Sequence, residues 1–272
     1  MERARTNDAL FLRIADGGNG NRYRPTPLAS GPWNPAHQHG GAVAGLLTRE
    51  LDRMPSPVPM RLSRITVEMF RGVPLTPLRI ETRVLRAGRR IQSVEANLFD
   101  EQTQVARATG LRIRTDPAMA IVASSESPDP DVGTPPDRVP PLRRMTGFTE
   151  PPGFIKAVDL AREDDFEPGG LANVWVRLRC HLMQGEETTP IERLATLVDF
   201  ASGTGNPMDY TKYSSINPDL SIHVLRVPRS DWIGIRGITL RADDGIGQSS
   251  ATIHDLKGPI ATAQASLLLD RR

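Results

Sequence analysis

Like residues recur along this chain at one fixed separation. Arg71 is matched by Arg226, Asp100 by Asp255, and Val105-Ala106 by Ile260-Ala261, each 155 positions further on. Chance matches scatter in offset, so a constant one reads as an internal duplication and restricts the chain to a fold of two like units. Residues 116–152 are dense in proline, serine and aspartate and hold no sustained period, which is how a linker reads. The expected division is a first unit over 1–115, a linker over 116–152 and a second unit over 153–272.

Each unit repeats one order of elements. Ahead of the linker a helix candidate within 34–51 precedes strand runs at 65–71, 78–88, 91–100 and 104–114, all alternating apolar and polar residues. Beyond it come the strand ANVWVRLRC, the helix PIERLATLVDFASG, and the runs LSIHVLR, WIGIRGITLRAD, GQSSATIHD and PIATAQASLLLD. One helix and a long antiparallel sheet, given twice, define an α+β chain in which each sheet wraps a central helix. That is a double hotdog, a fused pair that mimics a homodimer.

Composition narrows the partners. A net charge of +2, arginines scattered through the strands and only 5% aromatic residues exclude a nucleic-acid platform, while a CoA-sized polyphosphate suits this balance. The single Cys180 excludes an internal disulfide framework and a multi-cysteine zinc site, and implies a reducing compartment. ALFLRI, near the start, is too short for a signal segment or a membrane span, so a cytoplasmic chain without membrane insertion is expected. His37 and His39 lack a third metal ligand, and no metal or other cofactor is expected. GGNGNR at 17–22 and SGTGNP at 202–207 lack the lysine and context of a phosphate loop and read as turns. No G-x-S-x-G occurs, and Asp219 with His223 lies on a strand, away from the loop-to-helix junction that a hydratase pair needs.

The two helices carry different chemistry. In the first, Gly41, Ala44, Gly45 and Thr48 form a stripe of small residues, expected to pack closely on the sheet. Gly40 and Gly41 begin that helix, where unpaired amides and the positive end of the dipole can face an anion. The second helix holds Asp199 in its interior beside Ala195, Thr196, Ser202 and Gly203. In helix alignment Thr48 takes the place of Asp199, and Pro190 and Ile191 take those of His39 and Gly40. Amide donors from one half and a carboxylate from the other complete one cleft of two, so one working site per chain is expected.

HGGAVAGLL and TLVDFASG, with the strands around them, resemble the double-hotdog acyl-CoA thioesterases of the acyl-CoA thioesterase II type and their thioesterase-like superfamily. The same two stretches look like the halves of the motif in single-hotdog thioesterases of the phenylacetyl-CoA and 4-hydroxybenzoyl-CoA kind. The resemblance implies hydrolysis of an acyl-CoA or other acyl thioester by a water held between an aspartate, a hydroxyl and a glutamine. It assigns the aspartate to Asp199 and the glutamine to Gln264, whose duplicated counterpart is Thr109. At the hydroxyl position the chain departs: Asn217 stands there, with Ser215 and Ser221 nearby. Asp199 would then take the proton of the water, Gly40 or Gly41 would hold the oxyanion, and His39 would shape the turn or touch the thioester. A non-catalytic acyl-thioester binder and, third, a hotdog hydratase are the alternatives, and self-association of double-hotdog chains is left open.

Overall fold

A computed structural model describes residues 5, 8–15, 21–119, 132–137, 151–162, 170–206 and 208–272. Its strands join in one 14-stranded sheet. The first half supplies β1 (Ala9–Ile14), β2 (Asn21–Pro25), β3 (Met60–Met69), β4 (Leu78–Arg86), β5 (Ile91–Asp100) and β6 (Thr103–Arg114). The second supplies β7 (Val158–Arg162), β8 (Ala172–Leu178), β9 (His181–Met183), β10 (Tyr213–Ile216), β11 (Asp219–Val224), β12 (Trp232–Arg241), β13 (Ile246–Asp255) and β14 (Gly258–Arg271). The order is β7-β8-β12-β13-β14-β11-β3-β6-β5-β4-β2-β1-β9, with β10 pairing β14.

The centre of that order reads the same from both sides, and so does its register. Thr66 lies opposite Thr109 and Glu95 opposite Thr109 in the first half; Ser221 lies opposite Gln264 and Ser250 opposite Gln264 in the second. Every one of these positions moves by 155 between halves. Where the halves meet, Thr66 itself faces Ser221 in an antiparallel pair, their hydroxyls 3.2 Å apart. A pair in which a residue opposes its own repeat is what a two-fold relation requires.

β8 and β9 stand near opposite ends of the strand order, yet only Arg179 and Cys180 separate them in sequence. Three chain steps span at most about 11 Å. The sheet therefore curls until its ends approach, and β1 closes on β9 through a parallel pairing of Ala9 with His181 and Phe11 with Met183.

Two helices occupy the interior. α1 (Gly40–Asp52) is buried from Gly41 to Leu51 without a break. α2 (Gly153–Lys156) is a single turn, and α3 (Pro190–Leu197) starts with a reciprocal cap between Thr189 and Glu192. The small stripe on α1 meets α3, not the sheet as its composition had implied. A β-carbon on Gly45 would sit 2.1 Å from Thr196 Oγ1, and one on Gly41 would sit 2.3 Å from the Thr196 carbonyl.

Asp199 is not inside an α-helix. α3 ends at Leu197 and tightens into a 3-10 turn over Val198–Ser202. The Ser202 hydroxyl donates to the Asp199 carbonyl at 2.8 Å, and Gly203 N–H bonds instead to Phe200 O, three residues back. Side-chain competition for a helical carbonyl ends the α geometry there.

Other differences are local. ALFLRI forms β1, with Leu10 and Phe11 fully buried, and Asn21 and Arg22 of the expected first turn belong to β2; Gly17 to Gly20 lie outside the described residues. Within 116–152 Val132 is docked on the second half: it is buried and its carbonyl accepts from Trp175 Nε1 at 3.1 Å. Among the described residues no helix is long and apolar enough to cross a membrane.

Candidate active site

The start of α1 is anchored before its chemistry begins. His39 N–H donates to Ala29 O at 2.8 Å, Gln38 N–H to Val73 O at 2.7 Å, and the Gln38 amide side chain to Pro74 O at 2.7 Å. α2 is tied to the same loop, Gly153 N–H donating to Ser30 Oγ at 2.9 Å and Phe154 N–H to Ser30 O at 3.1 Å. Phe154 is thereby placed flat on the His39 imidazole, ring centres 4.1 Å apart and planes 15° apart. Phe200, next to Asp199, lies 5.6 Å from the imidazole and 5.9 Å from Phe154, so the three rings cluster in a triangle.

Asp199 comes from the second half and meets this helix mouth. Its Oδ2 lies 3.0 Å from His39 Nδ1, and its Oδ1 accepts from Asn217 Nδ2 at 2.8 Å. Gly41 N–H lies 3.1 Å from the same Nδ1, a geometry in which His39 could cap its own helix. One nitrogen cannot both accept from Gly41 and donate to Asp199. A bare Nδ1 would set its lone pair against a buried carboxylate, so the proton belongs on Nδ1, directed to Asp199, and the Gly41 amide turns to the carboxylate as well. Burial pushes the Asp199 carboxyl up, but the hydrogen bonds from His39, Asn217 and the Gly41 amide outweigh it. They hold the group below the usual carboxylate range.

Both glycines now have a reason. A β-carbon on Gly40 would lie 2.8 Å from Asp199 Oδ2, and one on Gly41 would strike the Thr196 carbonyl of α3. Among the described residues the Gly40 N–H has no hydrogen-bond partner and is only half-buried, whereas Gly41 N–H is already engaged. Of the two amides, Gly40 is the one open to a ligand at the positive end of α1.

The remaining expected residues divide. Asn217 joins Asp199, but as the donor that fixes its Oδ1. Gln264 is not brought to the site: it is exposed between buried Ala263 and Ala265, so its side chain leaves the sheet on the opposite face. Its amide reaches Ser250 Oγ at 3.4 Å. Ser215 is buried and bonded to Asn206, and Ser221 to Thr66, so neither nearby hydroxyl replaces it. Phe154 and Phe200 went unread; nothing local in the sequence marks them, because the ring stack is made between segments more than a hundred residues apart. His37 lies apart from the site, bridged to Pro74 and packed on Gly72, and no group of three metal-binding side chains occurs among the described residues.

This architecture is that of hotdog proteins. A hotdog-fold protein of unknown function from Alicyclobacillus acidocaldarius superposes with a TM-score of 0.66 at 13% identity, over 94% of this chain and 95% of that one. An acyl-CoA thioesterase II from Mycobacterium marinum does so at 0.65 and 16% identity, over 92% of each chain. A candidate thioesterase from Novosphingobium aromaticivorans reaches 0.69 and 20% identity, over 96% of this chain and 98% of that one. No curated protein matches. The sequence itself matches the acyl-CoA thioesterase N-terminal domain over residues 29–113 and the C-terminal domain over 136–269. The chain belongs to the acyl-CoA thioesterase family, and thioester hydrolysis is the general activity that membership supports.

Proposed function

We propose that this chain is a cytoplasmic double-hotdog hydrolase of an acyl-CoA or related acyl thioester, with units 1–115 and 153–272 joined by 116–152. The observation that carries the reading is the meeting of an ionised, buried carboxylate from one half with an open helix N-terminus from the other. The thioester oxygen points at the Gly40 amide, where charge develops in the tetrahedral intermediate. Loss of one such donor costs about 3–4 kcal/mol of transition-state stabilisation. The attacking water is activated at the group centred on Asp199, and no covalent enzyme intermediate is involved.

Release of free thiol from a panel of acyl-CoAs tests this. Turnover is expected from at least one member, with a fall of about 10²–10⁴-fold in Asp199→Asn. A wild-type chain that releases no thiol from any of them contradicts the proposal. A second reading, binding without turnover, is favoured by one observation: the aspartate, hydroxyl and glutamine that the resemblance calls for do not converge, because Gln264 faces away. Tight binding of the same panel with no thiol release supports it.

A further inference from the structure

We propose that the proton acceptor in this site is Nε2 of His39, and that Asp199 acts as its positioning carboxylate. The inference rests on the hydrolase reading above and refines it.

Asp199 is badly placed to take a proton from water. Its side chain is 4% exposed, and it receives the Nδ1–H of His39 on one oxygen, Asn217 Nδ2 on the other, and the Gly41 amide besides. Donors that hold the charged form make a weak base of it. The imidazole presents the opposite picture. With Nδ1 carrying the hydrogen for Asp199, Nε2 keeps its lone pair. Among the described residues Nε2 has no hydrogen-bond partner, and the side chain is 12% exposed. Phe154 stacks flat on one face of the ring, Phe200 packs against both rings from the side, and neither brings charge; Asp199 is the charged group in contact with the ring. A base whose far nitrogen is oriented by a carboxylate, beside a free amide donor at Gly40, is the arrangement that water activation needs.

Nε2 takes a proton from water as the oxygen bonds to the thioester carbon, and the carbonyl electron pair moves to the oxygen held by Gly40 N–H. Collapse restores the carbonyl and breaks the C–S bond. The departing thiolate takes the proton back from Nε2, leaving a carboxylic acid, a thiol and His39 in its starting tautomer.

The test uses full-length chain and an acyl-CoA that the wild type hydrolyses. His39→Ala, folded by near-ultraviolet circular dichroism, is expected to lose about 10²–10⁴-fold in thiol release. Added imidazole should restore part of it by stacking on Phe154 in the space the ring leaves beside Asp199. Retention of activity within tenfold, or loss that imidazole does not rescue, overturns the assignment while leaving the hydrolase reading intact. His39→Gln, which keeps the ring's bulk in part, is the second variant. Should neither fold, carbethoxylation of the wild type decides: thiol release lost in step with His39 modification supports the assignment, and release that survives it overturns it. A wild type inert on every thioester overturns both readings together.

Discussion

Two adjacent glycines at the mouth of α1 answer to different neighbours, so their alanine variants should fail differently. In Gly40→Ala the new methyl meets the Asp199 carboxylate at 2.8 Å and must displace it. Misplacement of a reacting group by about 1 Å costs on the order of 10²-fold in rate. Thiol release should fall by that order while the denaturant midpoint moves little. In Gly41→Ala the methyl meets the backbone carbonyl of Thr196 at 2.3 Å, and α1 and α3 must part. Overpacking costs roughly 1–3 kcal/mol, more than the ~0.5–1 kcal/mol an alanine gains in a helix, so the midpoint should drop. A second residue-scale expectation concerns Asp255. Burial pushes its carboxyl up, but paired hydrogen bonds from Arg226 at 2.6 and 2.7 Å, with the amides of Arg229 and Lys257, hold it below the usual range. A folded value below the unfolded one contributes stability above about pH 4 that is lost as pH falls through the folded value. Asp255→Asn should therefore cost about 3–5 kcal/mol near neutrality, and the gap from wild type should close only below about pH 4 in urea melts. Working with the difference removes Asp52 and Glu192, which burial raises and which act in the opposite sense. At this scale the sequence was partly legible. The structure brings together Asp199, Gly40 and Asn217, which motif and resemblance had singled out, whereas Gln264 lies on the opposite face of its strand, a placement that the strand's own sequence signals. Ala261, Ala263, Ala265 and Leu267 alternate as the inward face, which puts Gln264 with Thr262 and Ser266 on the other.

Elements were legible in proportion to their length and period. β4, β5, β6, β12, β13 and β14 are nine or more residues long and each holds an alternating stretch, and the sequence places them within a few positions. β1, β2, β7, β9 and β10 are 3–6 residues long, too short for a local period to announce them. The end of α3 was misread because Ser202 and Thr204 compete for carbonyls, a contest that hydrophobic spacing does not register. α1 is terminated differently. The guanidinium of Arg112, nearly fully buried on β6, donates to the carbonyls of Leu51, Asp52 and Met54 at the helix end. A buried carbonyl without its donor costs about 1–3 kcal/mol. Arg112→Met should therefore destabilise by at least about 2 kcal/mol despite relieving the burial of a charge, and Arg112→Lys should recover only part, since one ammonium does not match a fork aimed at three acceptors. Chemical denaturation at constant slope measures both.

Across the whole molecule the repeat is faithful in the sheet and broken in the helices, and that break fixes how many sites a chain can offer. Strand registers move by 155 from one half to the other, with Thr66 and Ser221 facing each other at the join. The helix mouths do not correspond. α1 opens with Gly40, whose amide has no partner among the described residues, beside the Asp199 carboxylate of the other half. α3 opens with Pro190, which has no amide hydrogen, followed by buried Ile191. Its mouth is already closed by its own capping box, Thr189 N–H donating to Glu192 Oε2 at 2.8 Å and Glu192 N–H to Thr189 Oγ1 at 3.4 Å. A carboxylate of the chain thus occupies the end of the dipole that an incoming oxyanion would need. In the alignment of the two helices the place of Asp199 is taken by Thr48, which is fully buried and whose hydroxyl, without a partner among the described residues, is no base. Titration with a non-hydrolysable acyl-CoA thioether should accordingly saturate at one ligand per chain, and Gly40→Ala should weaken that single event without revealing another. Two equivalent ligands per chain would mean that a capped helix and a threonine can substitute for an open amide and an ionised acid, and the asymmetry of the helix mouths would not be what selects the site.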